Sequence, residues 1–296
     1  MFGRMRILIA TLIAAATTAA APTVAAKIPV QPGASPCAAA AGGRFVWVSG
    51  YTLPYLYKIN PRTNKVAGKT PIGQGSCGLG YGAGSMWIED TSSSTVSRIS
   101  TTTGKRLKAI KVGLAPYDAT FGYGAAWVTA NSGSELERID PAQNKVVGRW
   151  KLTGATGVVT AFDSVWAAGF DGVIRVDPET NALVATIPTP GGWTAASSDA
   201  VWVTNGKGVA RIDPQTNAVV ANVALPGAPY LGDPDVIDGK LWVPQIRKNS
   251  IAIIDPATNT VVKTVKAGKG PFVVTQINGE AWVPSWKGTD VWRIKP

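Results

Sequence analysis

Short runs of alternating apolar and polar residues, punctuated by glycine, proline and Asx residues, fill the chain. Beyond Ala26 no helical apolar period occurs. One stretch shows the pattern. Residues 117–121 read as a strand, Gly122-Tyr123-Gly124 as a turn, and 126–130 as a second strand. After the polar loop 131–134 come a third strand at 136–139, a tight turn at 140–144 and a fourth strand at 146–152.

This stretch repeats. Tryptophan recurs at Trp47, Trp87, Trp127, Trp166, Trp202, Trp242 and Trp282, in near-equal steps of which only the one from Trp166 to Trp202 is clearly shorter. A fixed distance after each one, slightly less in the fourth and fifth units, lie an aliphatic residue and a turn opener. Examples are Ile59-Asn60-Pro61, Ile139-Asp140-Pro141, Val176-Asp177-Pro178 and Ile212-Asp213-Pro214. In five units an Asn closes the turn, as in Pro256-Ala257-Thr258-Asn259. The turn has a mechanism: Pro presets φ, Asp bonds the backbone two positions on, and Asn tolerates the left-handed region. Four short strands per unit, seven times over, predict an all-β, seven-bladed β-propeller. The last unit stops at Ile294-Lys295-Pro296 without a fourth strand. Lys27-Ile28-Pro29-Val30 aligns with Lys69-Thr70-Pro71-Ile72, so the N-terminal segment 27–31 is expected to complete the last blade and close the ring.

Trp202-Val203-Thr204-Asn205 and Ile254-Asp255-Pro256-Ala257-Thr258-Asn259-Thr260-Val261-Val262 resemble the YVTN-type β-propeller repeat family. The resemblance implies an exported seven-bladed propeller, in a family mostly without assigned function. The layout is also similar to the virginiamycin B lyase-like propellers. That group is associated with metal-dependent opening of a lactone ring by His and Glu at the channel mouth. The chain has no His, so that catalytic set has no counterpart in it.

The segment ahead of Lys27 reads differently. Arg4 and Arg6 precede an apolar run, and Val24-Ala25-Ala26 is a small-residue cleavage pattern. Residues 1–26 are therefore expected to be a signal peptide and 27–296 the mature propeller. The mature protein should be periplasmic or secreted, with no membrane span and a monomeric state. Cleavage would remove two bases and no acid, lowering the net charge from +11 to +9. The bases recur in six of the seven blades ahead of the third-strand aliphatic (Lys58, Arg98, Arg138, Arg175, Arg211, Arg293) and along the outer strand. This spreads them round the ring, so nucleic acid is not an expected partner.

Composition narrows the chemistry. The absence of His removes His-ligated zinc, a His base and Ser-His or Cys-His nucleophiles. The loops between blades and between second and third strands vary, whereas the opposite face repeats, so the variable face is the candidate site. Cys37, Cys77, Tyr117, Thr156, Trp193, Tyr230 and Phe272 fall at the channel mouth. The expected ligand-binding residues are Tyr117, Trp193, Tyr230, Phe272 and Trp286, with Arg247 and Lys248 as polar anchors. The aromatics either wall a ligand or pack on one another as a plug. The partner would be a small molecule, polymer or protein. No cofactor is expected. The alternative is a divergent lyase or hydrolase in which Glu89, Asp90 and Asp118 hold a divalent metal or move protons. Cys37 and Cys77 occupy equivalent positions in neighbouring units and are either a disulfide, two free thiols or a soft-metal pair.

Overall fold

The structure is a computed structural model describing residues 21–228 and 230–296. It contains seven antiparallel four-stranded sheets arranged as a ring. In the third blade the strands run Pro116–Gly122, Ala125–Ala130, Glu135–Asp140 and Lys145–Lys151 from channel to rim, close to the bounds read from sequence. The only helical turns among the described residues are two 3₁₀ segments, Thr91–Ser93 and Ile246–Lys248. No helix among them is long and apolar enough to cross a membrane.

The ring closes as the alignment required. Thr23–Pro29 pairs antiparallel with Asp290–Lys295 and forms the outer strand of the seventh blade. Lys27 lies opposite Trp292, just as Lys69 lies opposite Tyr57 in the first blade. The strand begins at Thr23, ahead of the expected cleavage point after Ala26, and its bulge falls between Val24 and Ala26. The third and fourth strands of the other six blades have a register shift at the equivalent step, for example between Arg138 and Ile139. Most of the expected signal peptide, residues 1–20, lies outside the described residues.

Each repeat Trp is buried between its own blade and the next, and each sits in its own apolar cluster. Trp127 packs on Val158, Val165 and Val176 of the fourth blade, and Trp166 on Val201, Val203 and Ile212 of the fifth. Trp282 closes the ring on Val46, Val48 and Ile59 of the first. The indole N–H groups of Trp47, Trp87, Trp127 and Trp166 donate to a carbonyl of their own first turn at 3.0–3.2 Å. A buried polar edge is thus satisfied while the ring fills the junction.

The bases before the aliphatic residue are not free surface charges. Arg175 lies over Trp166, 4.7 Å from its centroid. It also donates to Pro214 O at 2.6 Å and Asn217 Oδ1 at 2.9 Å in the next blade's turn. Arg98, Arg138, Arg211 and Arg293 make the same clasp on Asn144, Asn181, Asn259 and Asn64.

Candidate functional site

The loops entering the first strands converge at one end of the channel, and five of the expected mouth residues meet there. Tyr117, Thr156, Trp193, Tyr230 and Phe272 line one open cavity of about 640 Å³ over blades three to seven. The aromatics wall the cavity and also pack on one another. Tyr117 stacks on Trp193 with centroids 5.3 Å apart and planes 20° from parallel. Phe272 meets Trp193 edge-on at 5.1 Å, and Trp286 lies 5.5 Å beyond Phe272. Trp193 is buried at the centre of this layer, whereas Tyr117 and Tyr230 are 37% and 53% exposed. The layer caps the channel with its buried faces and offers its exposed ones to the cavity.

Trp193 is held by its backbone. Its N–H donates to Thr204 Oγ1 at 2.9 Å, and its carbonyl accepts from the Thr204 N–H at 2.9 Å. Gly191 lies so close to Val203 that a Cβ there would sit 2.1 Å from Val203 Cγ1, which lets the loop fold down onto the blade. Tyr230 is capped by Arg247, 4.0 Å from its ring centroid. Lys248 turns away: its ammonium donates to Pro226 O at 2.8 Å and it does not line the cavity.

Sequence reasoning missed Phe170, which is 64% exposed on the cavity wall, and the amides of Asn131 and Asn205 beside it. Tyr51 was also missed. It meets Trp286 edge-on at 5.7 Å. All four lie where second strands give way to third strands. The clue available in the sequence was that Tyr51, Phe170 and Trp286 hold one position, four residues after a repeat Trp, where Thr91, Asn131, Gly206 and Ile246 stand in the other units; Trp286 was singled out only because no other such loop carries Trp.

The acids lie elsewhere. Asp90 is committed to its own loop, accepting from Gly73 N–H at 2.6 Å and Ser97 Oγ–H at 2.6 Å. Glu89 is fully buried, and its Oε1 accepts from the N–H groups of Cys77 and Gly78. Burial raises its carboxyl well above the usual carboxylate range, outweighing those bonds. Asp118 is pushed up to about 6, again by burial. None of the three lines the mouth cavity, whose walls hold no carboxylate, lysine or arginine. Burial also raises the Tyr117 hydroxyl, so the cavity offers hydroxyl and amide hydrogen bonds and flat apolar walls. Cys37, in the inner strand of the first blade, and Cys77, just ahead of that of the second, are joined by a disulfide, with Cα atoms 5.0 Å apart.

No family model matches the chain, and no curated protein matches it. Solved structures do. Virginiamycin B lyase from Staphylococcus aureus superposes with a TM-score of 0.81 at 17% identity, over 93% of this chain and 100% of that one. A catalytically inactive form of that lyase, with Quinupristin, gives 0.78 at 17% identity over 93% and 100%. BamB from Moraxella catarrhalis gives 0.68 at 12% identity over 94% and 98%. The likeness is one of fold. The chain is a seven-bladed propeller, and its site chemistry must be argued from its own residues.

Proposed function

We propose that this chain is an exported propeller that binds a small organic ligand in the mouth cavity and acts as a binding protein. The observation that carries this reading is the aromatic wall itself. Tyr117, Phe170 and Tyr230 present exposed rings to one concavity, at the place where the sevenfold repeat is broken. A cavity of about 640 Å³ falls within the range of small-molecule sites, roughly 300–1,000 Å³. Asn131, Asn205 and the tyrosine hydroxyls would orient a ligand that is flat, apolar and largely uncharged. The absence of charged groups from the walls supports binding over acid–base catalysis. Quinupristin, in the structure of the lyase with the same fold, is therefore a first compound to try. The export arm rests on the N-terminal sequence pattern.

The test is a ligand screen on the EDTA-treated protein by tryptophan fluorescence, covering lactone antibiotics and oligosaccharides, since Trp193 and Trp286 report from the aromatic layer. The binding reading expects saturable quenching that Tyr230→Ala or Phe170→Ala weakens at least about tenfold, or about 1.4 kcal/mol. Both side chains are more than half exposed, so neither variant should disturb folding. Unchanged affinity in both would exclude the cavity, and turnover of a bound lactone would replace binding by catalysis.

A further inference from the structure

Beneath the aromatic layer lies a second cavity of about 150 Å³, and its lining is of another kind. Asp118, Asp233, Asp235 and Thr194 face it among alanine and valine side chains. Hydrogen bonds separate these acids by role. Asp118 accepts from the N–H of Ala119 at 2.8 Å and from that of Val158 on the next blade at 2.9 Å. Asp235 repeats the arrangement with Val236 and Gln276, both at 2.7 Å. These two carboxylates tie neighbouring inner strands together, which is a structural role. Asp233 has none: only its backbone is engaged, with Phe272 and Val274 of the seventh blade. The Thr194 hydroxyl, on a residue only 5% exposed, also has no partner, nor does the fully buried Glu89 Oε2 nearby.

No base balances these acids. The five ion pairs among the described residues involve Glu135, Glu137, Asp199, Asp255 and Glu280, and no lysine or arginine lines the cavity. In a chain of net charge +11, the channel is a pocket of uncompensated negative charge. Buried carboxylates are held by a partner charge, a metal or a proton.

Size and donor type distinguish these. At about 30 Å³ per water, the cavity holds an ion with several waters. The donors are all oxygen, which selects a hard cation. Among the described residues no three acidic or sulfur side chains converge to ligate one ion directly. Ca²⁺ takes six to eight close oxygens, whereas Mg²⁺ keeps several waters and is bound through one or two carboxylates. We propose that the central channel is a binding site for a hydrated divalent cation of the Mg²⁺ type, anchored on Asp233, with Asp118, Asp235 and the Thr194 hydroxyl facing its water shell. The site is independent of the ligand cavity above it.

The experiment uses the full chain, stripped with EDTA and exchanged above neutral pH, titrated with Mg²⁺ and separately with Ca²⁺ and Na⁺. Melting temperature and bound metal per chain are both read. The proposal expects a saturable rise in melting temperature with one Mg²⁺ per chain. Asp233→Asn should weaken binding at least tenfold, and its metal-free melting temperature should exceed that of the parent because a repulsion is gone. Thr194→Val, which keeps the shape of a side chain that bonds nothing, should weaken binding several-fold and serves if the Asn variant folds poorly. No saturable binding up to millimolar Mg²⁺ would overturn the proposal, as would equal affinity in both variants. Tenfold preference for Ca²⁺ would overturn the hydrated-ion assignment. A melting temperature that climbs as pH falls, with no response to any cation, would mean that the carboxyls hold protons instead.

Discussion

The arginine ahead of the third-strand aliphatic and the asparagine that ends the next blade's turn form one device. Five of these arginines clasp five such asparagines, and each Asn sits at φ between 52° and 61°. The exceptions agree. The first blade has Lys58, and the second blade's turn, Ser100-Thr101-Thr102-Thr103-Gly104, lacks both Pro and Asn. The sixth has Ile253, and the seventh blade reaches the chain end before any such turn. Asn217→Gly keeps the left-handed backbone and removes the acceptor for Arg175. It should cost about 1–2 kcal/mol, a bond to a charged group discounted for partial exposure. Asn217→Ala should cost about 1 kcal/mol more, because a Cβ is strained there. Urea unfolding of the two variants, with and without Arg175→Leu, checks this. In the Arg175→Leu background most of the Gly penalty should vanish.

At the scale of blades, the ring is held by seven apolar junctions, a shared sheet and one covalent link. Trp166 fills the junction of the fourth and fifth blades, and Trp166→Phe or Trp166→Ala leaves a void there. The Ala change should cost about 3–5 kcal/mol and the Phe change less, read as a shift in denaturation midpoint. The Cys37–Cys77 disulfide joins positions 40 apart in the chain, and closing a loop of that length is worth about 4 kcal/mol on the chain-entropy account. Melting with and without reductant should differ accordingly, and Cys37→Ser/Cys77→Ser should melt like the reduced parent. The closing strand Thr23–Pro29 covers the edge of Asp290–Lys295. A chain beginning at Val30 would expose that edge and should associate at concentrations where the longer chain is monodisperse in light scattering. A chain beginning at Lys27 keeps only Lys27, Ile28 and Pro29 of the strand and should fall between the two.

For the whole molecule, pH dependence should run against the usual direction for carboxylates. Glu89, Asp118 and Asp233 hold protons in the folded chain at pH values where the unfolded chain has released them. In the absence of divalent cations, stability therefore falls as pH rises from about 4 through about 6. Asp118 alone contributes about 3 kcal/mol of this loss. Asp140 and Asp177 accept backbone N–H bonds in their turns, and Asp255 accepts chiefly from Lys240, so their carboxyls lie below the usual range. Their contribution disappears as pH drops below about 4. Urea midpoints across pH in EDTA should peak near about pH 4–5, and a flat profile from about 4.5 to 7.5 would contradict the channel geometry. The fold was legible because local patterning serves it. A regularly recurring Trp, Asp-Pro turns with Asn, and an unfinished last unit determine blades, count and closure. The mouth aromatics were legible as positions, since Tyr117, Trp193, Tyr230 and Phe272 stand nine to twelve residues before a repeat Trp and Trp286 stands four after one. Whether they pack together was not, because contact across a channel depends on loop paths that no period encodes. The same limit applied to the acids. Asp118 lies three blades' worth of sequence from Asp235, and only the tertiary structure puts both beside Asp233 without a base. Repetition along the chain records what every blade needs; what happens on the ring axis arises from seven different inner strands meeting, and appears only when the ring is closed.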